Sequence, residues 1–148
     1  MSGMDLSHIL GNWITELENT PQNPQWHGEG DVLRHTQMVC RALESLDAYQ
    51  KADEETKTIL FLAAALHDLG KITATRQEAG QWVSPGHGRK GAEMARQSLW
   101  MDLGLCGTPE KQRLREAVCL LVRYHSVPAY AVSHPDGLRL LRKIAANG

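Results

Sequence analysis

Two adjacent residues, His67 and Asp68, carry the clearest chemical signal in this sequence. They follow the apolar run Ile59-Leu60-Phe61-Leu62-Ala63-Ala64-Ala65-Leu66 and precede Leu69-Gly70-Lys71. An imidazole and a carboxylate at the end of a buried helix are costly unless each finds a partner. A divalent metal ion satisfies both at once. Three more histidines, His35, His87 and His125, stand in contexts from which they could converge on the same place. Any one of them alone would more often be a core histidine with a hydrogen-bond partner. Several inward histidines beside a His-Asp pair shift the balance to metal ligands at His35, His67, Asp68, His87 and His125, and so to a metal-dependent hydrolase.

The elements that must position these side chains read as helices. His35 falls in the series Val32, His35, Val39, Ala42, Leu43, Leu46, and His125 in Leu114, Val118, Leu121, Val122, His125, so both share an apolar helix face. Leu6, Ile9, Leu10, Trp13, Ile14 and Leu17 predict a first helix from about Ser7 to Glu18, broken by Thr20-Pro21-Gln22-Asn23-Pro24. Asp31 caps a long helix to about Tyr49, and Asp53 caps the next, which ends near Gly70. A hairpin follows, with Ile72-Thr73-Ala74-Thr75-Arg76 and Gln81-Trp82-Val83-Ser84 flanking a turn around Glu78-Ala79-Gly80. Helices are expected from about Arg89 to Met101, from Thr108-Pro109 to about His125, and from roughly Asp136 to Ala145. His87 lies in the loop that enters the first of these, where neighbouring glycine and alanine allow close backbone approach. The fold class is all-α, a bundle of about six helices with a small β-hairpin insert.

The 148 residues suit one domain with a core that needs no staples. A net charge of −1 argues against strong non-specific nucleic-acid binding. Cys40, Cys106 and Cys119 lack C-x-x-C spacing, and Cys40 and Cys119 sit in helical apolar patterns, so they read as buried free thiols in a reducing compartment. Met1-Ser2-Gly3-Met4-Asp5 has no signal-peptide character, and the run from Ile59 to Leu66 is too short to span a bilayer. A soluble cytoplasmic domain with no membrane partner is expected. Trp13, Trp82 and Trp100 are expected to pack in the core or the insert, with Trp82 anchoring the hairpin. His27 is a weaker candidate for touching substrate, and His8 and His134 read as surface residues.

Four segments, in this order, resemble those of HD-domain metal-dependent phosphohydrolases. They are Asp31-Val32-Leu33-Arg34-His35-Thr36, Ala63-Ala64-Ala65-Leu66-His67-Asp68-Leu69-Gly70-Lys71, Gly86-His87-Gly88-Arg89-Lys90-Gly91-Ala92 and Leu121-Val122-Arg123-Tyr124-His125. The His-Thr context and the Thr-Arg…Gly…Gly-His segment look closest to the HD domains of tRNA-nucleotidyltransferase-like proteins. They also look similar to HD domains that precede a polynucleotide-kinase-like module. This implies a linked or separate nucleotide-processing partner, although no Gly-x-x-x-x-Gly-Lys loop is present in this chain.

The resemblance implies that His35, His67 and Asp68 hold a first metal, that Asp68 bridges to a second, and that His87 and His125 complete it. It implies a catalytic, phosphate-facing role for Lys71, whose ordinary reading is a helix C-terminal cation favoured by the macrodipole. Arg89 and Lys90 are candidates to neutralise substrate phosphate, against an ordinary reading as solvated surface. Mixed imidazole and carboxylate ligands suit Mn, Fe, Ni, Co or Zn better than Mg, as one or two ions. Such ions activate water, and Asp68 can orient or deprotonate it, with no Ser or Cys nucleophile required. The expected substrate is a phosphomonoester or phosphodiester of a nucleotide or RNA end. The family normally supplies a further Asp after the last histidine. Here only Asp136, in a turn-like setting, and the amide of Asn147 follow His125. The chain is therefore expected to be one HD domain over residues 1–148 that lacks a C-terminal portion. The alternative is an incomplete site that binds nucleotide or RNA without turnover.

Overall fold

Three aspartate and threonine caps set the frame. In the computed structural model, which describes residues 5–126 together with Arg139, Arg142 and Ala146, the Asp31 carboxylate accepts from the Arg34 amide at 2.9 Å and opens α3 (Val32–Ser45). Asp53 accepts from the Thr56 amide at 2.7 Å and opens α5 (Glu54–Leu66), and the Thr108 hydroxyl accepts from the Lys111 amide at 3.2 Å to open α8 (Pro109–Tyr124). Each such cap contributes about 1 kcal/mol by satisfying an otherwise orphaned N–H. The remaining elements are α1 (Leu6–Leu10), α2 (Trp13–Glu18), α4 (Asp47–Gln50), α6 (Lys71–Ala74), β1 (Arg76–Glu78), β2 (Gln81–Val83) and α7 (His87–Met101).

Helix α5 is the central element. It packs against α3 on one side and α8 on the other, and α8 in turn packs along α7. Phe61, Leu62, Ala63, Ala65 and Leu66 of α5 are all buried, so this helix is apolar nearly all round, as a helix enclosed by neighbours must be. Leu17, Val32, Leu99, Val118 and Val122 complete the same core. Each large apolar side chain fully buried there contributes about 1.5–3 kcal/mol.

The all-α architecture with a small hairpin agrees with the sequence, whereas several boundaries differ. The first helix is two short ones, because Gly11 at φ 50° leaves the helical region between α1 and α2. The second long helix stops at Ser45, where an extended Leu46 separates it from α4. Residues 71–74 form a helical turn rather than a strand, and the hairpin is shorter than expected, pairing Arg76 with Val83, Gln77 with Trp82 and Glu78 with Gln81. Helix α7 begins at His87, two residues early. Leu121 is exposed, outside the inward stripe that holds Val118 and Val122. Trp100 is 49% exposed rather than in the core, and the buried Arg115 guanidinium stacks 4.3 Å from its ring centre. Trp13 packs against the core and Cys40 and Cys119 are buried free thiols, as expected. Of the expected helix 136–145 only Arg139 and Arg142 are among the described residues; Asp136, His134 and Asn147 lie outside them. Among the described residues no helix is long and apolar enough to cross a membrane.

Two backbone crossings hold the chain in register for the site. A Cβ added at Gly70 would sit 2.0 Å from the His87 carbonyl oxygen and 2.5 Å from the Gly91 nitrogen. One added at Gly88 would sit 2.5 Å from the Arg123 carbonyl oxygen. Only glycine lets the turn after α5 touch the start of α7, and the start of α7 touch the end of α8. We therefore expect Gly70→Ala to destabilise the protein by about 3 kcal/mol or more, as backbone must move. Gly28→Ala, where nothing lies within 4 Å, should change stability little. Urea unfolding followed by circular dichroism measures both. A second check concerns the thiols: burial, with Glu44 nearby, pushes the Cys40 thiol up to about 11. Iodoacetamide at pH 8 should therefore modify the half-buried Cys106 well before Cys40, as peptide mapping would reveal.

Candidate metal centre

Four helix ends meet at one carboxylate. His67 and Asp68 lie in the tight turn after α5, closed by the Leu69 amide to the Leu66 carbonyl and the Lys71 amide to the Asp68 carbonyl. Leu66 and Leu69 are fully buried and fix that turn from beneath. His35 comes from the first turns of α3, His87 is the first residue of α7, and His125 caps the end of α8. Asp68 is 2% exposed, and its two oxygens divide the imidazoles between them. Oδ2 faces His35 Nε2 at 3.5 Å and His67 Nε2 at 3.2 Å. Oδ1 faces His87 Nε2 at 3.5 Å and His125 Nε2 at 3.4 Å. The rings form a continuous row, with centroids 4.9–5.5 Å apart from His27 through His35, His67 and His125 to His87.

The outer nitrogens decide what the inner ones can do. His67 Nδ1 donates to the Ala64 carbonyl at 2.7 Å, His87 Nδ1 to the Ser84 carbonyl at 2.9 Å, and His125 Nδ1 to the Val122 carbonyl at 2.7 Å. A carbonyl oxygen only accepts, so each Nδ1 carries a proton and each ring turns its Nε2 toward Asp68, where that nitrogen is a lone pair whenever the ring is neutral. His35 Nδ1 does the same toward the Glu29 carboxylate at 2.5 Å. Four imidazole nitrogens and two carboxylate oxygens therefore crowd one place, with His87 Nε2 and His125 Nε2 themselves 3.1 Å apart, a donor set that shared protons or cations can fill.

Protons serve this need unevenly. Burial raises the Asp68 carboxyl, but its contacts with His125, His67 and His87 outweigh that and hold it well below the usual carboxylate range. Burial lowers His67, but the adjacent Asp68 outweighs it and the ring ends above its ordinary value. His35 ends below its ordinary value, because burial outweighs the help of Glu29. Divalent cations suit the donor set better. His35, His67 and Asp68 form one group able to hold an ion, and Asp68, His87 and His125 a second. Imidazole nitrogens whose other N–H is bound to a carbonyl or carboxylate are the usual arrangement around such ions.

The sequence matches the family model of the HD domain over residues 32–142, well over half of its length and including all five expected ligands. The chain belongs to the HD-domain family. HD-domain proteins form a superfamily of metal-dependent phosphohydrolases and bind divalent metals, so the His-Asp pair takes its place in a known scheme. No solved structure matches this HD-domain chain.

The remaining site candidates divide. Lys71 opens α6 and is buried, with Nζ 3.1 Å from Asp68 Oδ2 and 2.7 Å from the Gln22 side-chain oxygen, so it is no surface cation at a helix C-terminus. Arg89 is exposed and lines a groove between α7 and α8 with Glu93, Arg96 and Glu116. It sits two residues past His87, about 200° around a helix. Lys90 is exposed as well, and neither residue lines the cavity shared by Lys71 and His87. His27 does line that cavity. His8 is exposed, as expected.

Two residues of the site were not singled out from the sequence. Glu29 orients His35 and also contacts His27 Nδ1 at 3.3 Å. Gln22 grips Lys71 while its amide donates to the Gly30 and Asp31 carbonyls, both at 3.2 Å. Both come from the loop between α2 and α3, where no periodicity points to an inward side; the acid between Gly28 and Gly30 just ahead of the Asp31 cap was the available signal. Because Glu29 sets the tautomer of His35, nitrogen-15 NMR at pH 8 should find the His35 proton on Nδ1. In Glu29→Ala it should move to Nε2, and metal affinity should fall about 10- to 100-fold. An unmoved proton would exclude Glu29 from this role.

Proposed function

We propose that this protein is a metal-dependent phosphohydrolase acting by metal-activated water on a phosphomonoester or phosphodiester of a nucleotide or RNA end. One observation carries the reading: Asp68 turns one oxygen to His35 and His67 and the other to His87 and His125, with the Lys71 ammonium 3.1 Å away and an open cavity beside it. His35 and His67 with Asp68 would hold one ion, and His87 and His125 with Asp68 a second, chosen from Mn, Fe, Ni, Co or Zn. When bound, such ions lower the pKa of water toward neutrality and stabilise charge on the phosphoryl and leaving oxygens.

The chain's own groups account for the rest. A carboxylate oxygen of Asp68 orients the attacking water and can take its proton. Gln22 holds the Lys71 side chain beside Asp68, where Nζ reaches a phosphoryl oxygen of a substrate in the cavity. Water oxygen bonds to phosphorus, the ester P–O bond breaks, and the alcohol departs with a proton. Arg89 and Lys90 stand exposed, so their effect on phosphate is a field screened by solvent. The nucleotide or RNA-end preference is supported by the likeness of the Asp31–Thr36 and Thr75–His87 segments to tRNA-nucleotidyltransferase-like HD domains.

Purified protein should carry about one or two transition-metal ions per chain and hydrolyse bis-p-nitrophenyl phosphate or nucleotide phosphoesters with Mn or Ni added. His67→Ala and Asp68→Ala should lower kcat by at least about a hundredfold, since several kcal/mol of transition-state stabilisation depend on the ion. Metal-loaded protein with no turnover on any panel member would reject a hydrolase and leave a binding domain.

A further inference from the structure

The cavity beside the carboxylate is lined by the buried Lys71 and by two indoles, one of them exposed. It encloses about 360 Å³, within the usual range for a small-molecule site. Lys71, 7% exposed, and His87 line it at the metal centre. Trp26 and Trp82 line it as well, and Trp26 is 75% exposed. An indole that exposed adds little to the core, so burial does not explain its place.

The backbone nevertheless holds it deliberately. The Asn23 carbonyl accepts from the amides of Trp26 at 3.1 Å and His27 at 2.9 Å, while the Asn23 side chain accepts from the Gln25 amide at 2.9 Å. These bonds fold residues 23–27 into a turn that presents Trp26. Trp82 comes from an unrelated element, β2, whose hairpin is tied at its base by the Thr75 and Ser84 hydroxyls, 2.8 Å apart. Two indoles on separately braced supports, 56 residues apart, thus line the same opening. The side chains of Asn23 and Gln81 add amide groups around it.

We infer that Trp26 and Trp82 form the base-stacking walls of a subsite for the terminal nucleoside of the substrate, whose phosphate lies against Lys71 and the metal centre. This rests on the phosphohydrolase reading of that centre. Indole faces bind any nucleobase by stacking, at a gain that corresponds to about 5- to 100-fold in affinity per base. Amide side chains at the rim can meet a base edge but read no unique pattern, so selection is for the presence of a base over a bare sugar phosphate. A free nucleoside monophosphate and the terminal nucleotide of an RNA present the same chemistry to these walls.

The test compares adenosine monophosphate with ribose 5-phosphate, which differ only in the base. Binding is read from quenching of intrinsic tryptophan fluorescence and by isothermal calorimetry on the full chain, and turnover is read separately. In the wild type, adenosine monophosphate should bind about tenfold or more tightly than ribose 5-phosphate. Trp26→Ala and Trp82→Ala should each shrink that ratio about 5-fold or more, and Trp82→Phe should restore most of it. Equal affinity for the two ligands, or a ratio untouched by both alanine variants, overturns the proposal. Should Trp82→Ala unfold, Trp26→Ala decides alone, because Trp26 is largely outside the core. Absence of turnover with a base-dependent binding ratio would reject the hydrolase and keep the stacking walls; turnover without base dependence would do the reverse. Competition by a 3′-phosphorylated oligoribonucleotide that is stronger than by the mononucleotide identifies an RNA end as the source.

Discussion

A carboxylate held out of water among four imidazole rings is the constraint on which the rest of this molecule depends. Asp68 is almost fully buried and ionised, and its neighbours His35, His67, His87 and His125 have committed their Nδ1 protons outward. Lys71 brings one positive charge to Oδ2, and among the described residues no lysine or arginine lies so close to Oδ1. Buried charge without compensation is strongly unfavourable, and Lys71 supplies part of that compensation beside a donor set that could hold a cation. In that sense the centre is a local conflict in an otherwise consistent helical bundle, the place where a functional site is expected to break the folding rules.

The scaffold is arranged to make that conflict rigid. The apolar helix α5 delivers His67 and Asp68 to the turn at its end, and Leu66 and Leu69 clamp the turn into the core. Gly70 and Gly88 then allow backbones to approach closely enough for side chains from α5, α7 and α8 to reach one point. His35 arrives from α3 under the control of Glu29, and Lys71 under the control of Gln22. Every inner group thus has an outer partner that fixes its direction, which is what gives a metal site its geometry before the metal binds.

Much of the fold was legible because helical periodicity and capping are local. Asp31, Asp53 and Thr108 cap the helices assigned to them, and Thr108-Pro109 marks the start of α8 to the residue. Failures came where one residue overrules a pattern: Gly11 splits an apolar series, Leu46 interrupts another, and Lys71–Ala74 coils although its β-branched Ile72 and Thr73 suggested a strand. At the site, His35, His67, Asp68, His87 and His125 were readable from residue type, helix face and their likeness to HD domains. Glu29, Gln22 and Trp26 were not, because they sit on a loop whose course no periodicity reveals.

The sequence alone determined which chemistry was available: several imidazoles and one carboxylate placed at helix ends, with no nucleophile-elbow motif and no Gly-x-x-x-x-Gly-Lys loop. It determined the helical class too, since apolar spacing and caps depend on neighbours a few residues away. Tertiary structure decided the rest. It assigned two histidines to each oxygen of Asp68, drew Lys71 inward, turned Arg89 to a different groove and set Trp26 and Trp82 around one cavity. Those relations join residues tens of positions apart, and they follow from how closely and at what angle helices cross, which is a property of the packed core and of no local segment.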